Sequence, residues 1–277
     1  MFASTSLCCA LVLAAPPAVT SKFEQVAPVP PEAGTVVRSK EQARAVVLIH
    51  GFRVYTKDDD VSRAGFRDWQ FPGSKLVRSL APTADVFSYG YGQNASIDGI
   101  VASGGLADGV RLLRKAGYKE IILVGHSAGG LIARQFVEDN PDAGVTKVVQ
   151  VCPPNGGAKA AEISLFKSQR AFLDSLTPEG RQECLKGRAG KTIPNGVQFV
   201  CILSNAAGDS DGLVRCDCQW TADLQMQCVP VVAIKVEHRQ APRAETGITA
   251  IAAAVRQDQP RWKPEHVREV KSELFGQ

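Results

Sequence analysis

The chain has 277 residues, with 32 Lys and Arg against 28 Asp and Glu and a formal net charge of +4. Hydrophobic residues make up 44% and charged residues 22%, which is the balance of a folded globular protein and excludes a disordered chain. The basic surplus is small and scattered, so no nucleic-acid partner is expected. This length fits one large α/β domain or two small ones.

The first 20 residues carry no charged side chain and contain a short apolar run at 7–15, followed by alanines and prolines. Such a segment resembles a signal for export, and we expect a periplasmic or secreted protein. It departs from that pattern because no Lys or Arg precedes Lys22, so a cytoplasmic protein stays the alternative. Residues 21–43 are Pro-rich and are predicted to be a linker.

The rest of the chain alternates apolar runs with helical patterns. Strands are predicted at 44–49, 85–89, 121–124, 147–152, 198–203 and 229–236, and helices at 97–115, 131–139 and 248–255. The strands are continuously apolar rather than alternating, which indicates a mostly parallel sheet with helices on both faces. Ligands of such sheets bind beyond the carboxyl ends of the strands. Side chains with reactive or polar groups follow those ends at His50, Tyr89, Ser127, Cys152, Ser204 and His238.

Residues 158–194 interrupt this alternation. They contain no predicted strand, and their large apolar side chains stand among many charges at Phe166, Phe172, Leu173, Leu176 and Leu185. We expect a small helical cap inserted over the site, with an extra pair of surface helices as the alternative. Residues 257–277 form a tail in which the helical spacing of Val267, Val270 and Leu274 predicts a packing helix.

The most informative segment is the Gly-His-Ser-Ala-Gly-Gly sequence at 125–130, directly after a predicted strand and before a predicted helix. This is the G-x-S-x-G pattern of a nucleophile elbow, in which a strained turn presents the serine hydroxyl. Glycines at 125 and 129 remove side chains that would collide at the turn. Ser127 is therefore the candidate nucleophile.

A serine hydroxyl needs a base to take its proton. Of the four histidines, His126 adjoins the serine and must point elsewhere, His50 lies in a segment where another role is expected, and His266 lies in the tail. His238 follows the last predicted strand, beyond its carboxyl end. We therefore predict His238 as the general base.

The histidine in turn needs a carboxylate to orient its ring. Asp209 and Asp211 both follow the strand predicted at 198–203. Asp211 is preferred because Asp211-Gly212 is a tight-turn dipeptide and the apolar residues at 213–214 can anchor that turn.

Attack on an ester carbonyl creates an oxyanion, which two main-chain N–H donors can stabilise, each worth roughly 10²–10³ in rate. One predicted donor is Ala128, directly after the nucleophile. The other is Phe52, in the loop after the first predicted strand, where Gly51 allows close approach.

Eight cysteines are present, two of them in the leader. The pairing of the remaining six cannot be chosen from the sequence, and one bridge among Cys184, Cys216, Cys218 and Cys228 stays open. No C-x-x-C motif occurs and no cluster of carboxylates demands calcium, so we expect no zinc, no calcium and no cofactor.

These segments together resemble the α/β-hydrolase superfamily and, within it, its lipase- and esterase-like branch. The resemblance is carried by residues 50–52, 125–130, 153–157, 211–214 and His238, and it covers roughly residues 44–256. The chain order Ser, Asp, His is also that of the superfamily. Cys216 and Cys218 depart from the pattern because they crowd the segment after the acid.

The resemblance implies hydrolysis of carboxylic esters through an acyl-serine intermediate, without a cofactor. Its implied partners are a small-molecule or lipid ester and, transiently, a lipid surface, while the oligomeric state stays open. An acyltransferase or thioesterase would use the same residues. A non-catalytic ligand-binding relative is the alternative from another class, because a fold alone does not fix a function.

Overall fold

The computed structural model describes residues 19–28, 31–32, 35–39, 42–55, 60–163 and 167–276. Within them lies one seven-stranded sheet, made of β1 (Ser21–Ala27), β2 (Arg44–Ile49), β3 (Asp85–Tyr91), β4 (Glu120–His126), β5 (Lys147–Val151), β6 (Gln198–Ser204) and β7 (Val231–Ile234). The strand order is β1-β3-β2-β4-β5-β6-β7. β1 is antiparallel to β3, and every other pairing is parallel. The predicted parallel sheet is confirmed.

Ten α-helices accompany the sheet in the described part of the chain. They are α1 (Lys75–Leu80), α2 (Ile97–Ala102), α3 (Gly105–Lys115), α4 (Ala128–Asp139), α5 (Arg170–Asp174), α6 (Pro178–Gly187), α7 (Cys216–Gln219), α8 (Ala222–Met226), α9 (Glu245–Arg256) and α10 (Pro264–Phe275). Short 3₁₀ turns lie at Asp68–Gln70, Lys159–Glu162, Lys167–Gln169 and His238–Gln240. Among the described residues, no helix combines the length and apolar character that crossing a membrane requires.

Both faces of the sheet are buried under helices. Successive residues of β4 point to opposite faces, so Leu123 joins the cluster that α3 and α4 cover, whereas Val124 joins the one that α1 and α9 cover. Phe136 of α4 and Ile251 of α9 are each at most 1% exposed in these two clusters. This double cover explains why the central strands carry apolar residues on both faces.

The prediction of a linker at 21–43 is wrong for Ser21–Ala27, which forms β1. This strand pairs with β3, and Phe23 stacks on Phe87 of β3 with 5.6 Å between ring centroids. Long-range pairing at the sheet edge, rather than a strong local pattern, therefore orders the segment. Of the predicted leader at 1–20, residues 1–18 lie outside the described residues.

The single helix predicted at 97–115 is two helices, α2 and α3. Gly104 separates them with a left-handed backbone at φ 83°, a conformation that glycine adopts without steric cost. Residues 158–194, predicted as a cap, include short helical pieces such as α5 and α6, and Phe172 of α5 is fully buried. Phe166 falls outside the described residues.

Candidate active site

Ser127 stands at the turn between β4 and α4 with φ 56° and ψ −129°, a backbone conformation that a residue other than glycine rarely adopts. Its N–H donates to the carbonyl of Val151 at 2.8 Å, which ties the turn to β5. A Cβ at Gly125 would come within 2.3 Å of the Gly129 carbonyl oxygen, and a Cβ at Gly129 within 2.2 Å of that of Ile49. The structure thus has the strained strand–turn–helix arrangement that the sequence motif predicts.

Asp211 and His238 are in contact. Asp211 Oδ2 lies 2.6 Å from His238 Nδ1, while Oδ1 accepts hydrogen bonds from the main-chain N–H groups of Leu213 at 2.9 Å and Val214 at 2.7 Å. The His238 N–H also donates to the Asp211 carbonyl at 2.9 Å. This carboxylate is fully buried, so it can hold the ring of His238 in one tautomer and orientation.

Asp209, the other candidate acid, lies elsewhere. Its carboxylate is 70% exposed and pairs with Arg215 at 2.9 Å. The structure therefore brings Asp211, and not Asp209, to the histidine.

Ser127 and His238 line one cavity of about 550 Å³. Since Asp211 occupies Nδ1 of His238, Nε2 is the ring nitrogen available to a group in that cavity. His126 lines the same cavity, but its Nε2 lies 2.8 Å from the His238 carbonyl oxygen. Burial, with the neighbouring His238 adding to it, lowers the pKa of His126 well below its usual value. Of these two histidines, His238 is the one whose ring is left to act as a base.

Phe52 and Ala128, the predicted oxyanion donors, directly follow two residues that lie close together, Gly51 and Ser127. Ala128 is the first residue of α4, where main-chain N–H groups have no partner within the helix. Gly51 lies so close to the nucleophile that a Cβ there would be 2.5 Å from the Cβ of Ser127. Neither the Phe52 nor the Ala128 N–H donates a hydrogen bond within the described ranges.

Gln93 holds the loop that carries Phe52, a role that sequence reasoning missed. Its side chain donates to the Gly51 carbonyl at 3.0 Å and accepts from the Arg53 N–H at 3.0 Å, so it fixes the residues on both sides of Phe52. Gln169, within the 158–194 segment, donates from its Nε2 to the Oε1 of Gln93 at 3.0 Å. The available signal was the position of Gln93 directly beyond the β3 strand.

Cys152, beyond β5, packs beneath the acid. It is buried with a left-handed backbone at φ 50°, and its sulfur lies within 4.8 Å of the Asp211 carboxylate. Burial, reinforced by the charge of Asp211, raises the pKa of this thiol well above its usual value. The group is therefore a protonated neighbour of the carboxylate and not a thiolate. The cysteines of the described part are all free thiols, including Cys216 and Cys218.

The cavity is lined by residues of two kinds. Phe52, Leu173 and Leu176 are apolar, and the two leucines come from the 158–194 segment. Arg67, Arg239 and Arg243 are basic, and these three arginines form the basic wall of the cavity.

The sequence of this chain matches a known protein family. A sequence model described as the Alpha/beta hydrolase family matches residues 46–259. A search of curated proteins by sequence gives no match.

Solved structures with a similar fold include three at low sequence identity. The mature lipase BlEst2 of Bacillus licheniformis has a TM-score of 0.61 at 13% identity, covering 80% of this chain and 96% of that one. The phospholipase PlaB of Legionella pneumophila has a TM-score of 0.57 at 13% identity, covering 84% of this chain and 63% of that one. The metagenomic carboxyl esterase MGS0156 has a TM-score of 0.52 at 15% identity, covering 91% and 82%. The family match spans well over half of the chain, and this protein belongs to the alpha/beta hydrolase family.

Proposed function

We propose that this protein is a serine hydrolase that cleaves carboxylic esters through an acyl-serine intermediate. The observation that carries the proposal is the convergence on one cavity of a serine in a strained turn and a histidine whose other ring nitrogen is held by a buried carboxylate. A serine, a base and an orienting acid in this relationship are the parts that nucleophilic acyl transfer requires.

In the proposed reaction, His238 Nε2 takes the proton of Ser127 Oγ as that oxygen attacks the ester carbonyl carbon. The carbonyl oxygen becomes an oxyanion and accepts hydrogen bonds from the N–H groups of Ala128 and Phe52. His238 then gives its proton to the departing alcohol, leaving the acyl group on Ser127. A water molecule, deprotonated by His238, attacks the acyl-serine and releases the acid, and the proton returns to Ser127. Asp211 stabilises the imidazolium in both halves.

The cavity supports a substrate with an apolar acyl part. Its volume of about 550 Å³ lies in the usual range for small-molecule sites, and Leu173 and Leu176 of the cap supply apolar contact. We therefore propose small-molecule or lipid esters as substrates, with transient contact to a lipid surface where the ester is part of one.

Replacement of the nucleophile tests the proposal. In Ser127→Ala, we expect hydrolysis of p-nitrophenyl butyrate to fall by about 10⁶ in kcat and labelling by a fluorophosphonate probe to disappear. Ser272→Ala is the matched control, because Ser272 is an exposed residue of α10 and its loss should leave both readouts unchanged.

Two outcomes would contradict this assignment. Hydrolysis that survives in a purified Ser127→Ala protein would show that another group is the nucleophile. A wild-type serine that stays inert to the probe, with no ester cleaved, would favour a ligand-binding relative of the hydrolases.

A further inference from the structure

The basic wall of the cavity has no role in the chemistry described above. It is formed by Arg67, Arg239 and Arg243, in a cavity that the apolar residues Leu173 and Leu176 also line. An ester with two apolar arms would bury one of them against guanidinium groups, at a cost in desolvation. The lining therefore matches a substrate whose two arms differ in polarity.

The charges on this wall do not cancel within the protein. Arg243 donates to both carboxylate oxygens of Asp68, with 2.8 Å between its Nε and Oδ2. Arg67 and Arg239 have no carboxylate partner within the part of the chain that the structure describes. Three guanidinium groups and one carboxylate thus leave two positive charges beside the cavity.

Arg67 is the most constrained of the three. It is partly buried, and burial together with the charges of Arg243, Arg53 and Arg239 lowers its pKa, while only Asp68 acts against them. Binding of an anion stabilises a cation that is surrounded by other cations more than it stabilises an exposed, fully hydrated cation.

The proposed mechanism determines whether the alcohol arm or the acyl arm of the ester contacts the basic wall. His238 must protonate the departing alcohol, so the alcohol lies beside its ring. Arg239 follows His238 directly in the same 3₁₀ turn, and Arg243 lies one turn further on. The acyl arm then lies towards Leu173 and Leu176 of the cap.

We propose that the ester cleaved here carries an anionic group, a carboxylate or a phosphate, on its alcohol arm, and that Arg67 binds this group together with Arg239 and Arg243. The inference rests on the proposed function, because it names the substrate class of that same site. Arg67 and Arg239 are specificity-determining residues in this view, since they touch a part of the substrate that does not react.

Three esters that differ in the charge on the alcohol arm test the proposal. The probes are para-(butyryloxy)benzoate, para-(butyryloxy)phenyl phosphate and the neutral methyl ester of the benzoate, and the readout is kcat/KM at low ionic strength. We expect Arg67→Gln to lower the ratio of anionic to neutral ester at least tenfold. Arg239→Gln should lower it in the same direction, and added salt should lower it in the wild type, because screening weakens exposed charge pairs.

Two further variants complete the design. Arg111→Gln is the matched control, since Arg111 is 73% exposed on α3 and pairs with Asp108, so the ratio should stay at its wild-type value. Arg67→Lys keeps the charge without the planar fork and should retain part of the preference. Arg239 is exposed, so its variant tests the idea even if Arg67→Gln fails to fold.

The outcomes separate this inference from the proposed function. If both arginine variants keep the wild-type ratio while the methyl ester is cleaved, the anion site is wrong and the esterase stands. If the two variants instead impair only p-nitrophenyl hemisuccinate, whose charge lies on the acyl arm, the alcohol-side assignment is wrong. If wild type cleaves none of these esters and Ser127 resists the fluorophosphonate, both proposals fall.

Discussion

The Nε2 atom of His126 lies 2.8 Å from the main-chain carbonyl oxygen of His238. Burial lowers the pKa of His126 well below its usual value, so its ring is neutral near pH 7 and Nε2–H can donate to that carbonyl. The ring also packs edge-on against Trp69, with 6.1 Å between centroids. The residue before the candidate nucleophile therefore holds the backbone of the candidate base.

We expect His126→Phe to lower kcat about tenfold or more with little change in KM, because the buried carbonyl of His238 loses its donor and the catalytic ring loses its fixed position. His126→Gln keeps an N–H donor and should recover part of the loss. Steady-state kinetics on p-nitrophenyl butyrate, with thermal unfolding as a check on folding, measures both. A folded Phe variant with wild-type kcat would show that His126 has no positioning role.

Local patterns predicted the centre of this fold because the central strands are buried on both faces. In β2 and β4 every residue after the charged first one is apolar up to the reactive edge, and the glycines around Ser127 mark the turn. Asp211 was separable from Asp209 because a tight turn with an apolar anchor follows it. In the structure, Val214 of that anchor is buried and its N–H donates to the Asp211 carboxylate, whereas Leu213 is 40% exposed and does not anchor the turn by burial.

Features that depend on contacts between distant parts of the chain could not be predicted from the sequence. β1 begins with exposed residues at Ser21 and Lys22 and lies beside prolines, so its pairing with β3 gives no strong local signal. The contact between Cys152 and Asp211 joins residues from two different strand ends. Gln93 fixes the Phe52 loop through main-chain atoms, so the sequence shows its position beyond β3 but not the partners that it binds.

The pairing of Asp211 with His238 predicts that replacing this carboxylate by an amide strongly lowers kcat. In Asp211→Asn an NH₂ group replaces one carboxylate oxygen and cannot accept a hydrogen bond. The ring of His238 is then held in the wrong tautomer, and its cation is no longer stabilised. We expect kcat to fall by roughly 10³–10⁴ while the fold is kept. Asp209→Asn is the matched control, because its exposed carboxylate pairs with Arg215 alone and kcat should be unchanged. Equal losses in the two variants would contradict the assignment of Asp211 as the acid.

Gly51 should tolerate no side chain. A Cβ there would lie 2.5 Å from Ser127 Cβ and 2.9 Å from Oγ, so the elbow or the Phe52 loop must shift. We expect Gly51→Ala to lower kcat at least 100-fold, since oxyanion donors act only when correctly placed. Gly187→Ala, in α6, meets nothing within 4 Å and should leave kcat unchanged. Wild-type activity in Gly51→Ala would mean that this loop does not form the oxyanion site.

His50 predicts how stability depends on pH. It is 1% exposed, and its ring stacks on Tyr91 with 4.4 Å between centroids. Burial lowers the pKa of His50 from 6.5 to about 4, although the hydrogen bond to the Gly51 carbonyl at 2.7 Å acts in the opposite direction. Between these two pH values the unfolded chain binds a proton that the folded chain does not. The free energy of unfolding must therefore fall as the pH falls through this window.

His50→Asn removes this one titration and leaves the buried His126 in place. Between pH 7 and pH 5, we expect wild type to lose about 2 kcal/mol more of its free energy of unfolding than the variant does, whatever the variant costs at pH 7. Urea unfolding at the two pH values measures the difference. His266→Asn is the control, because His266 is half-exposed on α10 and its variant should keep the wild-type pH dependence. Parallel losses in wild type and His50→Asn would mean that His50 is protonated as readily in the folded chain as in the unfolded one.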